Sequence, residues 1–379
     1  MRVLIGTNWS LTQAGGVPSH LGMLTRGLTA RGIQNAVVNP DDRFQTPLWK
    51  AYALLVAGGS SDGGRVKIAR MRLNDIRRQA GRLIARDRYD LVHAHDALFG
   101  RVALEFGLPV VLTIHGPLSK EVLMFAGKAN PQHVEFLRQS EHLAYAGAKA
   151  LIAVDTGQGE IARAEFGVPA TKVRIIPNAV DSTLFAPHSE DSGGAPFFLV
   201  PRRLVKKNGV SVAIEALSRL KGEHVELWVA GEGPERAHLA DLARRRGLAG
   251  QVRFLGSVDQ AAMARLVSQS LGVIVPSIPV DGVVEATSIA ALEGMAAAKP
   301  VFASNLGGLS EVIQHGETGL LFEAGDHQAL GTLLLEALTG DRERLVQVGR
   351  KARSHVERYH GVEAWTGEII KVYEDVLAR

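Results

Sequence analysis

The chain has 379 residues, 46% hydrophobic and 22% charged, with 43 Lys and Arg against 39 Asp and Glu for a formal net charge of +4. That length is typical of two domains, and that balance describes an ordinary soluble globular protein rather than a disordered one. The absence of cysteine excludes disulfides, thiolate metal sites and cysteine nucleophiles, and no run of eighteen apolar residues predicts a membrane span.

Met1-Arg2 leads straight into the apolar run Val3-Leu4-Ile5, so no signal peptide is expected, and the lack of cysteine fits the cytoplasm. A Gly-rich loop, Ala14-Gly15-Gly16, precedes a helix with Pro18 in its first turn, Val17, Leu21, Leu24 and Leu28 at helical spacing, and Gly32 past its end. Two glycines between a strand and a helix either let the backbone approach a phosphate at the helix N-terminus or simply make a turn. Further strands are expected at 35–38, 91–94, 110–114, 150–154 and 173–176, with helices near 65–87, 132–146 and 158–166. Such alternation predicts a parallel sheet covered on both faces. His93 and His95 lie two apart with Asp96 adjacent, a spacing open to metal binding. Thr113-Ile114-His115-Gly116 ends a buried strand with a histidine, which by itself reads equally well as a structural strand end.

Charge is uneven. Residues 1–186 hold 22 Lys and Arg against 15 Asp and Glu, and the excess concentrates at Arg65, Lys67, Arg70, Arg72, Arg77, Arg78, Arg82, Arg86 and Arg88. This run is either a solvated helix face or a contact for anionic lipid headgroups or an acidic acceptor. Just upstream, Phe44, Pro47-Leu48-Trp49, Tyr52 and Leu54-Leu55-Val56 form an apolar stretch suited to an interface. Nucleic acid is not expected as a partner, because no aromatic residues interleave with the basic run.

The polar segment 186–196, rich in Pro and Gly, reads as a linker. Strands restart at 197–200 and recur at 225–230, 252–254, 272–275 and 301–303. After the first of them comes Arg202-Arg203-Leu204-Val205-Lys206-Lys207-Asn208-Gly209, clustered cations at a strand's carboxyl end that form either an anion site or a solvated basic turn. Gly231-Glu232-Gly233-Pro234-Glu235 starts like a dinucleotide fingerprint, but Arg236 occupies the third glycine position, so it is read as a turn. From Val273 to Phe322, a buried strand, a polar loop, an Ala-rich helix and a second apolar run carry Glu285 before the helix and Glu293 within it. Carboxylates at the carboxyl edge of a parallel sheet are suited to accept hydrogen bonds from sugar or ribose hydroxyls. Taken alone, two glutamates are better read as solvated acids. No Ser-His-Asp order, metal cluster or Walker loop is evident in the sequence.

The passage around Glu285 and Glu293, followed by Pro300-Val301, Gly307-Gly308-Leu309, Glu311 and the turn Gly316-Glu317-Thr318-Gly319, resembles the retaining glycosyltransferases of family 4. So do Arg203-Leu204, the Gly231 turn, the segment from Phe254 to Val258, Gly15-Gly16, His115 and Pro177-Asn178-Ala179-Val180-Asp181. The resemblance implies the GT-B fold: two Rossmann-like α/β domains facing each other across a cleft, with a C-terminal helix crossing back to the first. The domains would be 1–186 for the acceptor, 187–360 for the donor, and 361–379 for the crossing helix.

It further implies a retaining, metal-independent transfer of a hexosyl unit from a UDP- or GDP-sugar to a hydroxyl acceptor, in polysaccharide, glycolipid or related synthesis, with no cofactor. Arg203 and Lys207 would neutralise the diphosphate. Glu285 would bind the hexose and Glu293 the ribose. Gly307, Gly308 and Leu309 would offer backbone amides, and His115, Gly15 and Gly16 would meet the donor from the first domain. Gly231 and Val258 would border the nucleotide. The sequence departs from the family three times: Ala286-Thr287-Ser288 stands where Gly-Phe-Gly is usual, Asn208 where lysine is usual, and Ala179 where glycine is usual. The family has a similar His-x-His stretch without a metal, so no metal site is expected. A location in the cytoplasm, peripheral at the inner membrane face, follows from the basic run. The rival readings are a GT-B nucleotide-sugar epimerase and a non-enzymatic nucleotide-sugar-binding protein.

Overall fold

The computed structural model describes residues 1–11, 15–40, 55, 62–125, 131–187 and 195–378. In the first half, strands and helices alternate as β1 (Arg2–Gly6), α1 (Gly16–Ala30), β2 (Gln34–Val38), α2 (Asp62–Arg86), β3 (Leu91–Ala94), α3 (Ala97–Ala103), β4 (Val110–Ile114), α4 (Leu118–Phe125), α5 (Pro131–Gly147), β5 (Ala150–Ala153), α6 (Thr156–Phe166) and β6 (Val173–Ile175). All pairings are parallel, in the order β2-β1-β3-β4-β5-β6. Strands β3, β4 and β5 are buried at every residue, as a sheet covered on both faces requires. Helices start where a side chain can satisfy an orphan amide: Asp96 accepts from the Phe99 N–H to begin α3, and Asp155 from the Gln158 N–H to begin α6.

The second half repeats the plan with β7 (Phe197–Pro201), α7 (Val210–Leu217), β8 (Glu226–Ala230), α8 (Arg236–Arg245), β9 (Val252–Gly256), α9 (Gln260–Gln269), β10 (Gly272–Val275), α10 (Ile289–Ala296), β11 (Val301–Ser304), α11 (Gly308–Val312), β12 (Leu320–Phe322), α12 (His327–Thr339), α13 (Arg342–Tyr359) and α14 (Val362–Leu377). Its sheet is also parallel, ordered β12-β11-β10-β7-β8-β9. The α/β class expected from strand-helix alternation is therefore what the chain adopts, twice over. Strand β12 and helix α3 were not expected from the sequence. Both are short, and three or seven residues carry too little periodicity to declare themselves.

Packing divides the chain into Met1–Pro177 with Thr366–Arg379, and Asn178–Trp365. Residues 178–186, expected in the first domain, instead belong with the second. The Val180 N–H donates to the His360 carbonyl at 2.9 Å, and Val180 and Phe185 are buried in the core formed with β7, β10 and α10. Of α14, the part from Thr366 onward packs with the first unit. There Thr366 lies against Gly27 of α1, leaving no room for a side chain at that glycine, and the Tyr373 hydroxyl meets His93.

Candidate functional site

In the second unit the chain leaves β7 toward β8 and β9, then returns to β10 on the other side of β7. The carboxyl ends of β7 and β10 therefore form the switch point of the sheet, the place where open α/β sheets bind ligands. The turn after β7 (Arg202 to Gly209) and the loop after β10 (Pro276 to Ser288) meet there. Ile278 donates its N–H to the Lys207 carbonyl at 2.8 Å. Gly209 has φ +61°, and a Cβ there would fall 1.8 Å from the Pro276 carbonyl oxygen, so only glycine permits this approach.

Arg202 organises the junction. It is buried, its Nη1 donates to Ser288 Oγ at 2.8 Å, and its Nη2 donates to Asn208 Oδ1 at 2.7 Å and to Ser277 Oγ at 3.1 Å. The same Nη2 forms an ion pair with Glu285 Oε2 at 2.8 Å, each side chain only 9% exposed. Burial opposes the charged form of Glu285, but the charges of Arg202 and Lys207 outweigh it and hold the carboxyl below its ordinary range. The Nη2 protons are directed mainly to Asn208 and Ser277, so Glu285 Oε2 is held by ion-pair contact rather than by a well-aligned hydrogen bond, while Arg202 and Ser277 both help keep the carboxyl ionised. A buried, ionised oxygen in that state is an acceptor awaiting a donor such as a sugar hydroxyl.

Asn208, standing where the family usually has lysine, is therefore no surface substitution: its Oδ1 accepts from Arg202, and its Nδ2 donates to the Arg203 carbonyl at 2.8 Å. Arg203 is exposed and Lys207 half-buried. The Gly231 turn lies against the Arg202 turn. A Cβ at Gly231 would meet the Arg202 carbonyl oxygen at 2.1 Å, and the Leu204 N–H donates to the Glu232 carbonyl at 2.9 Å. Val258, half-buried, follows β9 and packs on the core below.

The loop carrying Glu285 is clamped from two sides. Asn178 Nδ2 donates to the Thr287 carbonyl at 2.8 Å, and Gly308 donates its N–H to the Glu285 carbonyl at 3.1 Å. A Cβ on Gly307 (φ +52°) would sit 2.3 Å from the Glu285 carbonyl oxygen, and one on Gly308 would sit 2.5 Å from the Thr287 nitrogen. Gly307-Gly308-Leu309 and Glu285-Ala286-Thr287 thus touch backbone to backbone, while Leu309 and Ser288 are buried. Glu293, in α10, is buried too, and burial pushes its carboxyl from the ordinary 4.5 up to about 8. Near neutral pH it is protonated and can donate as well as accept.

In the first unit, Gly15 is extended, and a Cβ there would make only ordinary contact with Pro18, 3.8 Å away; the fold itself does not demand glycine at that position. His93 is fully engaged: its Nδ1 is 2.6 Å from the Tyr373 hydroxyl and its Nε2 is 2.8 Å from Thr113 Oγ1. Both ring nitrogens are thus taken by side-chain oxygens, and His93 is excluded as a metal ligand. His115, half-buried after β4, has its Nε2 3.4 Å from Nδ1 of His95. His20 of α1 joins them, its ring centroid 4.6 Å from that of His115 and 5.1 Å from that of His95. Sequence reasoning missed His20, although a histidine on the apolar face shared by Val17, Leu21 and Leu24 was a visible signal.

Along α2, Lys67, Arg70, Arg78, Arg82 and Arg86 are exposed and recur at helical spacing. Arg77 pairs with Glu105 at 2.7 Å, and Arg86 with the neighbouring Asp87 at 3.0 Å. The Arg65 side chain and the apolar stretch 44–56, except the exposed Leu55, lie outside the described residues. Among the described residues, no helix is long and apolar enough to cross a membrane.

The chain thus forms two parallel α/β sheets, the second with a carboxylate and cations at its switch point, and comparison with known proteins shows its class. Residues 14–184 match glycosyltransferase family 4 and residues 183–355 match glycosyl transferases group 1. The chain belongs to the family-4 glycosyltransferases, and its fold is GT-B.

Among curated proteins it is 30% identical to a glycogen synthase of Mycobacterium tuberculosis over 62% of this chain and 56% of that one. It thus spans little more than half the length of that relative. It is 27% identical to a phosphatidyl-myo-inositol mannosyltransferase of Mycobacterium leprae over 99% of this chain and 97% of that one. Among solved structures, the sucrose-phosphate synthase of Thermosynechococcus elongatus superposes with a TM-score of 0.80 at 21% identity, covering 99% of each chain.

Proposed function

We propose that this glycosyltransferase moves a hexosyl unit from a nucleotide-diphosphate sugar, UDP- or GDP-linked, to a hydroxyl acceptor with retention at the anomeric carbon. The observation that carries this reading is Glu285: a buried carboxylate kept ionised by Arg202 and Lys207 at the switch point of the sheet. An oxygen so held selects a ligand hydroxyl, and the cations beside it select an anion attached to that ligand.

In this scheme Arg203 and Lys207 neutralise the diphosphate leaving group. Glu285 holds the hexose, and protonated Glu293 bonds the ribose. Backbone groups of Ala286, Thr287, Ser288 and Gly307-Gly308-Leu309 shape the sugar pocket, and Gly231 and Val258 border the base. His115, Gly15 and Gly16 of the first unit serve the sugar and phosphate. The C1–O bond to the phosphate breaks as the acceptor oxygen bonds C1 from the same face, and the acceptor proton passes to the departing phosphate. No protein nucleophile or diphosphate-bound metal is required by this scheme.

The exposed basic face of α2 supports an acceptor held at an anionic membrane surface, such as a lipid-linked sugar or polyol. The M. leprae relative, named for phosphatidyl-myo-inositol, is consistent with it. The test is a thermal-shift and product screen against UDP, GDP, ADP and their sugars. Stabilisation by one nucleotide family, with release of the free nucleotide diphosphate only when acceptor is present, is the expected result. Formation of a sugar epimer instead would assign the site to an epimerase.

A further inference from the structure

Three imidazoles of the first unit converge from three elements: His20 from α1, His95 from the loop after β3 and His115 from the loop after β4. Each can offer one ring nitrogen, and the three nitrogens lie within 4.8 Å of one another. Nδ1 of His95 and Nε2 of His115 are 3.4 Å apart, long for a hydrogen bond between rings. It is, however, the edge of about 3.4 Å set by nitrogens placed tetrahedrally 2.0–2.1 Å from zinc. The His20 nitrogen lies within 4.8 Å of the other two, wider than that edge, so its ring has to close in on the ion.

We propose that His20, His95 and His115 form a binding site for one divalent transition ion of the zinc class. Imidazole nitrogen suits zinc, cobalt, nickel and copper, whereas magnesium and calcium prefer oxygen. His93, fixed by Tyr373 and Thr113, packs its ring 4.1 Å from that of His95 and sets its orientation. The site is accessible: His20 and His95 are buried, but His115 is only half-buried and gives an ion an entry. Nε2 of His95 makes no hydrogen bond among the described residues.

The proposal is independent of the transfer reading, because ion binding is measured on the full chain without any donor. It has one consequence for that reading. An ion held by His115 occupies a ring that the transfer reading assigns to the donor, so zinc acts as a brake on transfer and not as a cofactor.

Titration of the metal-free protein with Zn²⁺ in a calorimeter should show one ion per chain. Co²⁺ should develop the intense visible bands of a low-coordinate imidazole site. His95→Ala should weaken binding at least about 100-fold, since even second-shell losses cost 10–100-fold; His20→Gln, a milder change, serves if His95→Ala fails to fold by circular dichroism. His142→Ala, removing an exposed histidine on α5, should leave binding unchanged. Absence of stoichiometric binding to the wild-type chain, a Co²⁺ spectrum of the octahedral aqueous type, or undiminished binding by a folded triad variant would each overturn the site.

Discussion

Arg202 and Glu285 come from loops that follow neighbouring strands, and they meet as a buried ion pair 2.8 Å apart. Arg202 spends its other hydrogen bonds on Ser277, Ser288 and Asn208, so the guanidinium is committed to positioning and the carboxylate is left oriented for a ligand. Removing one member of a buried pair strands the other charge, at a cost of about 3–5 kcal/mol. Arg202→Met should therefore lower stability by about that amount and raise the pKa of Glu285. Glu285→Gln should keep most of the fold, because an amide still fits among Ser277, Ser288 and Arg202, while transfer drops at least about 100-fold. Chemical denaturation and initial rates on the same preparations separate the two effects.

Glu293 gives a pH signature opposite to that of an ion-paired carboxylate. The folded chain keeps its proton until about pH 8, whereas the unfolded chain loses it near 4.5. The folded state binds more protons across that window, so this group makes stability fall as pH rises from about 4.5 to about 8. Glu293→Gln removes the contribution. The variant should gain stability over wild type at pH 8, on the order of a few kcal/mol, and match it at pH 4. Urea midpoints at both pH values check this. An equal difference at the two would show that Glu293 is not held protonated.

Much of the fold was legible in the sequence because the strands are apolar runs separated by amphipathic helices, and that pattern survives burial on both faces. The site was legible only in outline. Glu285, Glu293 and Gly307-Gly308 stand out only through the resemblance of the whole passage to the family, and adjacent Arg202 and Arg203 look equivalent in a sequence. Which of them turns inward depends on Ser277 and Asn208, one of them seventy-five residues away along the chain. The boundary at Pro177 was hidden for the same reason: Val180 looks like the end of the first domain until its amide is seen to bond His360. The His20, His95 and His115 cluster needs three elements brought together by the sheet order, and no local pattern encodes that.

Gly307 tests whether the backbone approach is a structural requirement. Its φ is +52°, and a Cβ at this position would lie 2.3 Å from the Glu285 carbonyl oxygen, so a side chain has no unstrained place. Gly307→Ala must push back the Glu285 loop, with a left-handed cost of about 1–2 kcal/mol before any clash is counted. Donor affinity should fall more than stability does, because the displaced loop carries the hexose-binding carboxylate. Nucleotide affinity without the sugar should change little. A uniform loss of UDP and UDP-sugar binding would place Gly307 outside the sugar pocket.

The exposed basic face of α2 predicts a salt-dependent attachment to anionic bilayers. Lys67, Arg70, Arg78, Arg82 and Arg86 share one side of the helix, and each cation near such a surface contributes about 1 kcal/mol, lost beyond a screening length of about 10 Å at 0.1 M salt. Replacing Arg78, Arg82 and Arg86 with Gln should thus reduce co-sedimentation with vesicles containing phosphatidylglycerol by about 100-fold. Binding of the wild type should fall steeply between low and physiological salt. Because these residues lie on a solvent-facing side, the melting temperature should stay nearly constant. Transfer to a water-soluble acceptor should also be preserved, while transfer to a lipid-borne one falls with attachment. Equal binding to neutral phosphatidylcholine vesicles, or binding indifferent to the triple substitution, would reduce the stripe to a solvated helix face.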